Sequence, residues 1–176
     1  IHAHYDLGNE FFQEFLDETM TYSAGIFEQS GSTLKEASVA KYDRLCRKLD
    51  LGPDDHVVEI GTGWGGFALH AARTYGCRVT TTTISKEQHD LASQRIRDAG
   101  LEHRVTILLE DYRTMTGTFD KLVSIEMIEA VGHEYLPSYF SKISQVLTQE
   151  GAALIQAITM PDHRYARYLK EVDYIR

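Results

Sequence analysis

The sequence has few cysteines, few prolines and no long apolar run. Its two cysteines, Cys46 and Cys77, match no metal-ligand spacing, so we expect reduced, packed thiols in a cytosolic protein. No stretch is apolar enough to cross a bilayer, and the N-terminal residues lack the basic and apolar regions of a signal peptide. The eight histidines form no His-x-x-x-His pair, so the sequence gives no support to a metal site.

The charge balance is acidic. The formal net charge is -8 at pH 7, from 18 Lys and Arg against 26 Asp and Glu. This balance opposes broad binding to nucleic-acid phosphates, and we expect no nucleic-acid partner. The 176 residues predict one domain, and an apolar share of 43% is typical of a globular protein. Because the chain starts and stops abruptly, we expect it to be an excerpt of a longer protein.

Strand and helix patterns alternate from Leu51 onward. Short β-branched or apolar runs predict strands at 57–60, 78–84, 105–109, 121–125 and 152–158. Helical patterns lie between them at 67–75, 86–99 and 134–147. Because strands separated by helices form parallel sheets, residues 51–176 are predicted to be a doubly wound, Rossmann-like α/β domain. Two further strands of such a sheet would lie beyond Arg176.

Residues 1–50 are predicted to be a separate helical segment, rich in aromatic residues. Phe11, Phe12 and Phe15 share one predicted helical face. Thr33 and Glu36 have the spacing of a capping box, which predicts a helix that runs to about residue 49.

The first predicted strand ends in a glycine-rich turn, Gly61-Thr-Gly-Trp-Gly-Gly66. In such sheets the ligand binds at the carboxyl ends of the strands, and glycines let the backbone approach it closely. The spacing is Gly-x-Gly-x-Gly, and an acid, Glu59, precedes it. Asp111 follows the third strand, where a carboxylate could accept from the exocyclic amine of an adenine. These features favour a cofactor site over a purely structural turn.

Two further polar groups stand at the same edge of the predicted sheet. The second strand ends without the acidic residue that usually binds the ribose, so Thr83 and Gln88 are expected to take that role. Glu126 and Glu129 follow the fourth strand, where a carboxylate could act as a base or hold one. We interpret Glu126 as a surface acid, and Glu129, flanked by apolar residues, as a buried group with a function.

Six motifs in order along nearly the whole chain resemble the cyclopropane-fatty-acyl-phospholipid synthases, which include the mycolic acid cyclopropane synthases. The motifs are His4-Tyr-Asp-Leu-Gly-Asn9, Met20-Thr-Tyr-Ser23, Glu59-Ile-Gly-Thr-Gly-Trp-Gly-Gly-Phe67, Thr83-Ile-Ser-Lys-Glu-Gln88, Asp111-Tyr-Arg113 and Glu126-Met-Ile-Glu-Ala-Val-Gly132. The resemblance implies a class I methyltransferase fold with an N-terminal helical lid. It also implies methyl transfer from S-adenosylmethionine to a cis double bond of an acyl chain. The resulting cation loses a proton and closes to a cyclopropane.

The resemblance also implies roles for individual residues in binding the cofactor. Tyr22 and Ser23 would cover its methionine end, and Gly61 and Gly63 would lie under it. The remaining cofactor contacts would come from Thr83 and Gln88 at the ribose and from Asp111 and Tyr112 at the adenine.

A second set of residues would perform the proton-removing step. Glu129 would help to hold a bicarbonate ion as the proton acceptor, the backbone of Ile125 and Glu126 would contact the same ion, and Tyr5 would lie near the entrance. Two residues of this chain depart from the family pattern. Ala24 stands where the family usually has a cysteine, and Gln156 stands where it often has a histidine; both positions line the ion site.

Several outcomes stay open from the sequence. A methylene- or methyl-branched acyl product needs only a different fate for the cation, and some similar plant enzymes methylate small-molecule amines. A further possibility, from a different functional class, is a binding module that keeps the cofactor fold and has lost its catalytic activity. For the acyl reading we expect an unsaturated phospholipid or another acyl lipid as substrate, and a cytoplasmic protein in peripheral contact with the membrane surface. Oligomeric state is open, a homodimer included.

Overall fold

The computed structural model describes residues 8–169. Tyr5, and with it the predicted role at the entrance, lies outside the described residues. The helices are α1 (Asn9–Gln13), α2 (Leu34–Lys48), α3 (Gly66–Tyr75), α4 (Lys86–Asp98), α5 (Leu136–Val146) and α6 (Asp162–Tyr168). The strands are β1 (His56–Ile60), β2 (Arg78–Thr83), β3 (Val105–Leu109), β4 (Phe119–Ile125) and β5 (Leu147–Gln156). Two 3-10 turns, Ile128–Ala130 and His133–Tyr135, lie between β4 and α5.

The five strands form one parallel sheet in the order β3-β2-β1-β4-β5. The chain moves outward from β1 in one direction through β2 and β3, and then returns to the other side of β1 as β4. The strand order therefore reverses between β1 and β4, which is where α/β sheets bind ligands. This arrangement confirms the predicted α/β class; the lid stays a prediction.

Helices cover both faces of the sheet. On one face Leu45 of α2 and Phe67 of α3 pack with Val79 of β2 in one buried cluster. On the other face Tyr139 and Ile143 of α5 pack against β1 and β4. Burial on both faces explains why β1 and β2 have runs of consecutive buried residues and not an alternating pattern.

Local sequence signals position the helices next to the glycine turn. The Thr33 side chain accepts a hydrogen bond from the Glu36 N–H, and the Glu36 carboxylate accepts from the Thr33 N–H, so the predicted capping box is confirmed. Ser85 caps α4 by accepting from the N–H of Gln88. Gly76 ends α3 in a left-handed conformation.

Several predicted elements differ in extent from those of the structure. The helix bearing Phe11 ends at Gln13, so Phe15 lies beyond it, and no side chain caps its start; so short a helix has little stability of its own. β5 begins at Leu147 and not at 152, because Leu147 pairs with Phe119 across a register shift in β4. It ends at Gln156.

The last predicted helix begins at Leu136, after a 3-10 turn, where Pro137 suits the first helical turn. Among residues 8–169, no helix combines the length and the apolar character of a bilayer span.

Candidate cofactor site

A cavity of about 410 Å³ opens at the carboxyl ends of β1, β2, β3 and β4. Its floor is the glycine turn after β1, and one wall comes from the segment between α1 and α2. Eight residues that the sequence predicted to bind a cofactor all line this one cavity: Tyr22, Ser23, Gly61, Gly63, Thr83, Gln88, Asp111 and Tyr112. The structure thus brings together side chains that are up to 90 positions apart in the chain, counting from Tyr22 to Tyr112.

Three backbone amides of the glycine turn donate hydrogen bonds within the protein. Gly61 and Gly63 have φ of +98° and +51°, which favours glycine. The N–H groups of Gly61 and Thr62 both donate to the carbonyl of Thr82, at 3.1 and 3.0 Å, and the Gly65 N–H donates to the Thr62 carbonyl at 3.0 Å. Three amides of the turn are thereby engaged within the protein and hold its shape.

A buried acid stabilises the turn from behind. Glu59 is 2% exposed and accepts a hydrogen bond of 2.7 Å from the Thr81 hydroxyl, which is itself 2.8 Å from the Thr62 hydroxyl. Burial raises the pKa of Glu59 to about 8. The chain Glu59–Thr81–Thr62 thereby links β1, β2 and the turn.

The residues predicted to bind the ribose form a pair at the start of α4. The Thr83 hydroxyl donates to Oε1 of Gln88 at 2.8 Å and accepts from the Ser85 N–H at 3.2 Å. Among residues 8–169 no group accepts from the Gln88 amide nitrogen, so this nitrogen can donate to a ligand oxygen.

Asp111 is engaged by an arginine. Arg113 donates to its carboxylate through Nε at 2.9 Å and Nη2 at 2.6 Å, and the Arg113 N–H adds a third bond of 2.9 Å. These bonds lower the pKa of Asp111. The Arg113 side chain also lines the cavity, although the sequence reading gave it no role. Tyr112, which packs edge-on against Tyr139, completes this end of the cavity.

Two cationic side chains, Lys41 and Arg95, bind the cavity wall formed by the segment between α1 and α2. Lys41 of α2 is 1% exposed, and its Nζ donates to the Ser23 hydroxyl at 2.5 Å. Burial lowers the pKa of Lys41 to about 8, and the charges of Glu126 and Glu59 oppose that shift. The sequence reading missed Lys41 because its neighbours on α2 look like an ordinary amphipathic face.

Arg95 of α4 is the second cation at this wall. Its guanidinium donates to the carbonyls of Glu18 and Thr19, both at 3.1 Å, and to the carbonyl of Trp64. It thus joins the N-terminal wall to the glycine turn. Phe12 packs on Trp64 at a ring-centroid distance of 4.7 Å, and the Trp64 indole N–H donates to Asn9 at 2.6 Å.

A second group of polar side chains meets at the ends of β4 and β5. Ile125 and Glu126 line the cavity. Oε1 of Glu126 accepts from the Ala24 N–H at 3.0 Å and from the Gln156 side-chain amide at 2.8 Å. The interpretation of Glu126 as a surface acid was therefore wrong, because its partners come from distant segments. Ala24 and Gln156, the two departures from the family pattern, both bind it.

Glu129 lies on the 3-10 turn that follows and is not among the residues that line the cavity. Its Oε1 accepts from the Ile158 N–H at 2.6 Å, and its Oε2 is buried without a hydrogen-bond donor among the described residues. The residue is only partly buried, and the predicted burial holds for the Oε2 atom alone. Its role toward an ion stays a prediction.

The sequence model for the family described as mycolic acid cyclopropane synthetase matches residues 1–176. The chain belongs to the mycolic acid cyclopropane synthetase family. The resemblance that the six motifs indicate is thereby confirmed.

Two relatives are similar to this chain along most of its length. The tuberculostearic acid methyltransferase UfaA1 of Mycobacterium tuberculosis is 46% identical over 171 residues, 93% of this chain and 40% of the relative. The cyclopropane-fatty-acyl-phospholipid synthase of Escherichia coli K12 is 41% identical over 155 residues, 88% of this chain and 39% of that protein. This chain thus spans about two fifths of the length of these relatives.

A solved structure of the family superimposes closely. It is that of mycolic acid cyclopropane synthase CmaA1 complexed with SAH and CTAB, with a TM-score of 0.88 and 33% identity over 97% of this chain and 64% of that one. The class I methyltransferase sheet is therefore shown for this chain.

Proposed function

We propose that the full-length protein transfers a methyl group from S-adenosylmethionine to the cis double bond of an unsaturated fatty acyl chain and closes a cyclopropane ring. The observation that carries this proposal is the one cavity that all eight predicted cofactor residues line, with the glycine turn as its floor. Family membership and the SAH-bound relative support it.

The described residues fit the cofactor. Gly61 and Gly63 would form the floor under it, and the free amide nitrogen of Gln88 would donate to a ribose hydroxyl. Tyr22 and Ser23 would cover its methionine end, with the Lys41 ammonium behind Ser23. S-adenosylmethionine supplies an electrophilic methyl group when bound. The residues around it orient that methyl toward the acceptor and exclude water.

The acyl acceptor would reach the cavity from the side of the N-terminal wall. Phe11, Phe15 and Tyr22 form an aromatic group there, with Phe15 and Tyr22 ring centroids 6.2 Å apart, and each is about half exposed. Phe27 is 58% exposed nearby in the chain. Aromatic side chains left in water on one edge suit a membrane interface, which supports peripheral contact with phospholipid. A homodimer stays a prediction, and sedimentation of the full-length protein would test it.

A bicarbonate ion is the second group that the resemblance implies. The Ala24 N–H and the Gln156 amide, at the positions that line the ion site in the family, already donate to Glu126. Because both donors are engaged, they are not available to a bound anion, and the Glu126 carboxylate would repel one. The residues as they stand do not fit bicarbonate.

A methylene- or methyl-branched acyl product is the second candidate. The observation that favours it is the changed proton-removing site, where Ala24 and Gln156 replace the family residues. The relative at 46% identity is named a tuberculostearic acid methyltransferase, whereas the relative at 41% is named a cyclopropane synthase.

The test incubates the full-length protein with S-adenosylmethionine and vesicles of a cis-monounsaturated phospholipid. Gas chromatography with mass spectrometry then resolves the fatty acid methyl esters. A ring product with one added carbon is expected, a branched product would select the second candidate, and no lipid product would refute both. Vesicles of a saturated phospholipid are the substrate control. Gln88→Ala should lose activity, and Gln94→Ala, an exposed glutamine on the same helix, should keep it.

A further inference from the structure

The backbone at Glu126 has an unusual conformation. Its φ is +47°, in the left-handed region that L-residues other than glycine, asparagine and aspartate rarely adopt. Among residues 8–169 only Met20 and Asp50 share this feature outside the glycines. A strained residue persists when the surrounding structure fixes it, and such residues cluster at active sites. The positive φ of Glu126 therefore indicates that the placement of its side chain is important.

That side chain is fixed through one oxygen. Oε1 of Glu126 accepts the bonds from Ala24 and Gln156, and the Glu126 N–H donates to the Gln156 carbonyl at 2.8 Å. No described residue donates to Oε2. The residue lines the cavity beside Ile125 and Met127. One oxygen therefore orients the carboxylate while the other is available to a group inside the cavity.

A buried cation lies behind one wall of the same cavity. Lys41 is 1% exposed, and its Nζ donates to the hydroxyl of Ser23, on the wall predicted to face the methionine end of the cofactor. Ser23 and Glu126 both line the cavity, so the carboxylate shares it with that wall.

We propose that the carboxylate of Glu126 is the proton acceptor of the reaction, in place of a bound anion. This inference rests on the proposed function. The alkene π pair forms the bond to the methyl carbon, and the electron pair of the broken carbon–sulfur bond stays on sulfur. Oε2 of Glu126 then takes a proton from the former methyl group, and the freed C–H pair closes the ring. The carboxylic acid returns its proton to water.

The test compares three variants of the full-length protein on the vesicles described above. Glu126→Gly removes the carboxylate and relieves the positive φ, and Glu126→Gln keeps the side-chain shape and a hydrogen-bond acceptor. Asp50→Gly is the matched control, because Asp50 is an exposed acid with a φ of +52° away from the cavity. General-base catalysis contributes about 100-fold to 10,000-fold. Both Glu126 variants should lose at least ~100-fold in product formation, and Asp50→Gly should keep its activity.

Chemical rescue separates a proton acceptor from a positioning residue. Glu126→Gly leaves a space between two unoccupied donors, so millimolar formate or bicarbonate should restore product formation by about tenfold or more, with saturation. Sodium chloride at equal ionic strength should not. Calorimetric titration should show S-adenosylhomocysteine affinity within about threefold of the unaltered protein, a difference under ~1 kcal/mol.

Two results would overturn the assignment: near-normal product formation by Glu126→Gly, or a loss that no small carboxylate restores. The unaltered protein is assayed in the same vesicles. If it makes no lipid product, the proposed function itself fails, and that result is distinct from a defect confined to the Glu126 variants. The unaltered protein should also keep full activity in buffer depleted of carbon dioxide, and dependence on added bicarbonate would count against Glu126.

Discussion

Substitution by alanine at two glycines of the turn after β1, Gly63 and Gly66, should affect ligand affinity and protein stability differently. A Cβ at Gly63 would meet no protein atom within 4 Å. A Cβ at Gly66 would come within 2.5 Å of the Tyr42 hydroxyl and 3.2 Å of the Thr19 carbonyl. The first methyl group enters the space assigned to the cofactor, and the second enters packed protein.

The magnitudes follow from these positions. Alanine at the left-handed φ of Gly63 costs about 1–2 kcal/mol of stability, which lowers the melting temperature by about 2–8 °C. Contact of its methyl group with the cofactor should weaken binding tenfold or more, or at least ~1.4 kcal/mol. Gly66→Ala should lose about 1–3 kcal/mol through overpacking. It should also disturb the 2.6 Å bond between the hydroxyls of Tyr42 and Thr21.

Calorimetric titration with S-adenosylhomocysteine and thermal unfolding followed by circular dichroism measure the two effects on the full-length protein. We expect both variants to lose stability, and Gly63→Ala to lose more affinity than Gly66→Ala. A Gly63→Ala protein that binds the ligand as tightly as the unaltered protein would refute the placement of the cofactor over this turn.

Three further predictions address the acid behind the turn, the N-terminal wall and the start of α2. Because burial raises the pKa of Glu59 from 4.5 to about 8, folding retains its proton, and the free energy of unfolding should fall by a few kcal/mol as the pH rises from about 5 to 8. Glu59→Gln should flatten that dependence in urea titrations; an unchanged slope would contradict the assignment. Phe12→Ala should expose residues 9–24 to limited proteolysis, because Phe12 is 1% exposed against Trp64; equal cleavage of Phe12→Ala and the half-exposed control Phe15→Ala would be the adverse result. Thr33→Ala should lose about 1 kcal/mol of stability with its capping box, and thermal unfolding would detect a smaller effect if the cap is redundant.

Local chemistry explains why much of the fold could be predicted. The glycine turn, the caps at Thr33 and Ser85, and the stop at Gly76 each depend on residues within a few positions of one another. The parallel direction of the strands follows from their alternation with helices, whereas the strand order was not predicted. The start of β5 was missed because its pairing with Phe119 crosses a register shift, which no local pattern encodes.

The candidate site likewise contains residues that local sequence could identify and residues whose contacts are distant in the chain. Gly61 and Gly63 could be placed in the candidate site from the local pattern around the first strand together with the family resemblance. Glu126 was misjudged because its hydrogen-bond partner Ala24 is 102 positions away and Gln156 is 30 positions away. Lys41 was missed for a related reason. A lysine on an amphipathic helix is normally solvated, and only the packed structure reveals that this one is buried.

Arg95 has a consequence for the rate at which a used cofactor can be exchanged. The wall between α1 and α2 is fastened to the rest of the protein by the fork of hydrogen bonds from this side chain to Glu18, Thr19 and Trp64. For a ligand that leaves past this wall, these bonds add to the other contacts that must open, so its residence time depends in part on a helix outside the wall. Two relatives with identical cofactor contacts can therefore turn over at different speeds if they differ at this one arginine.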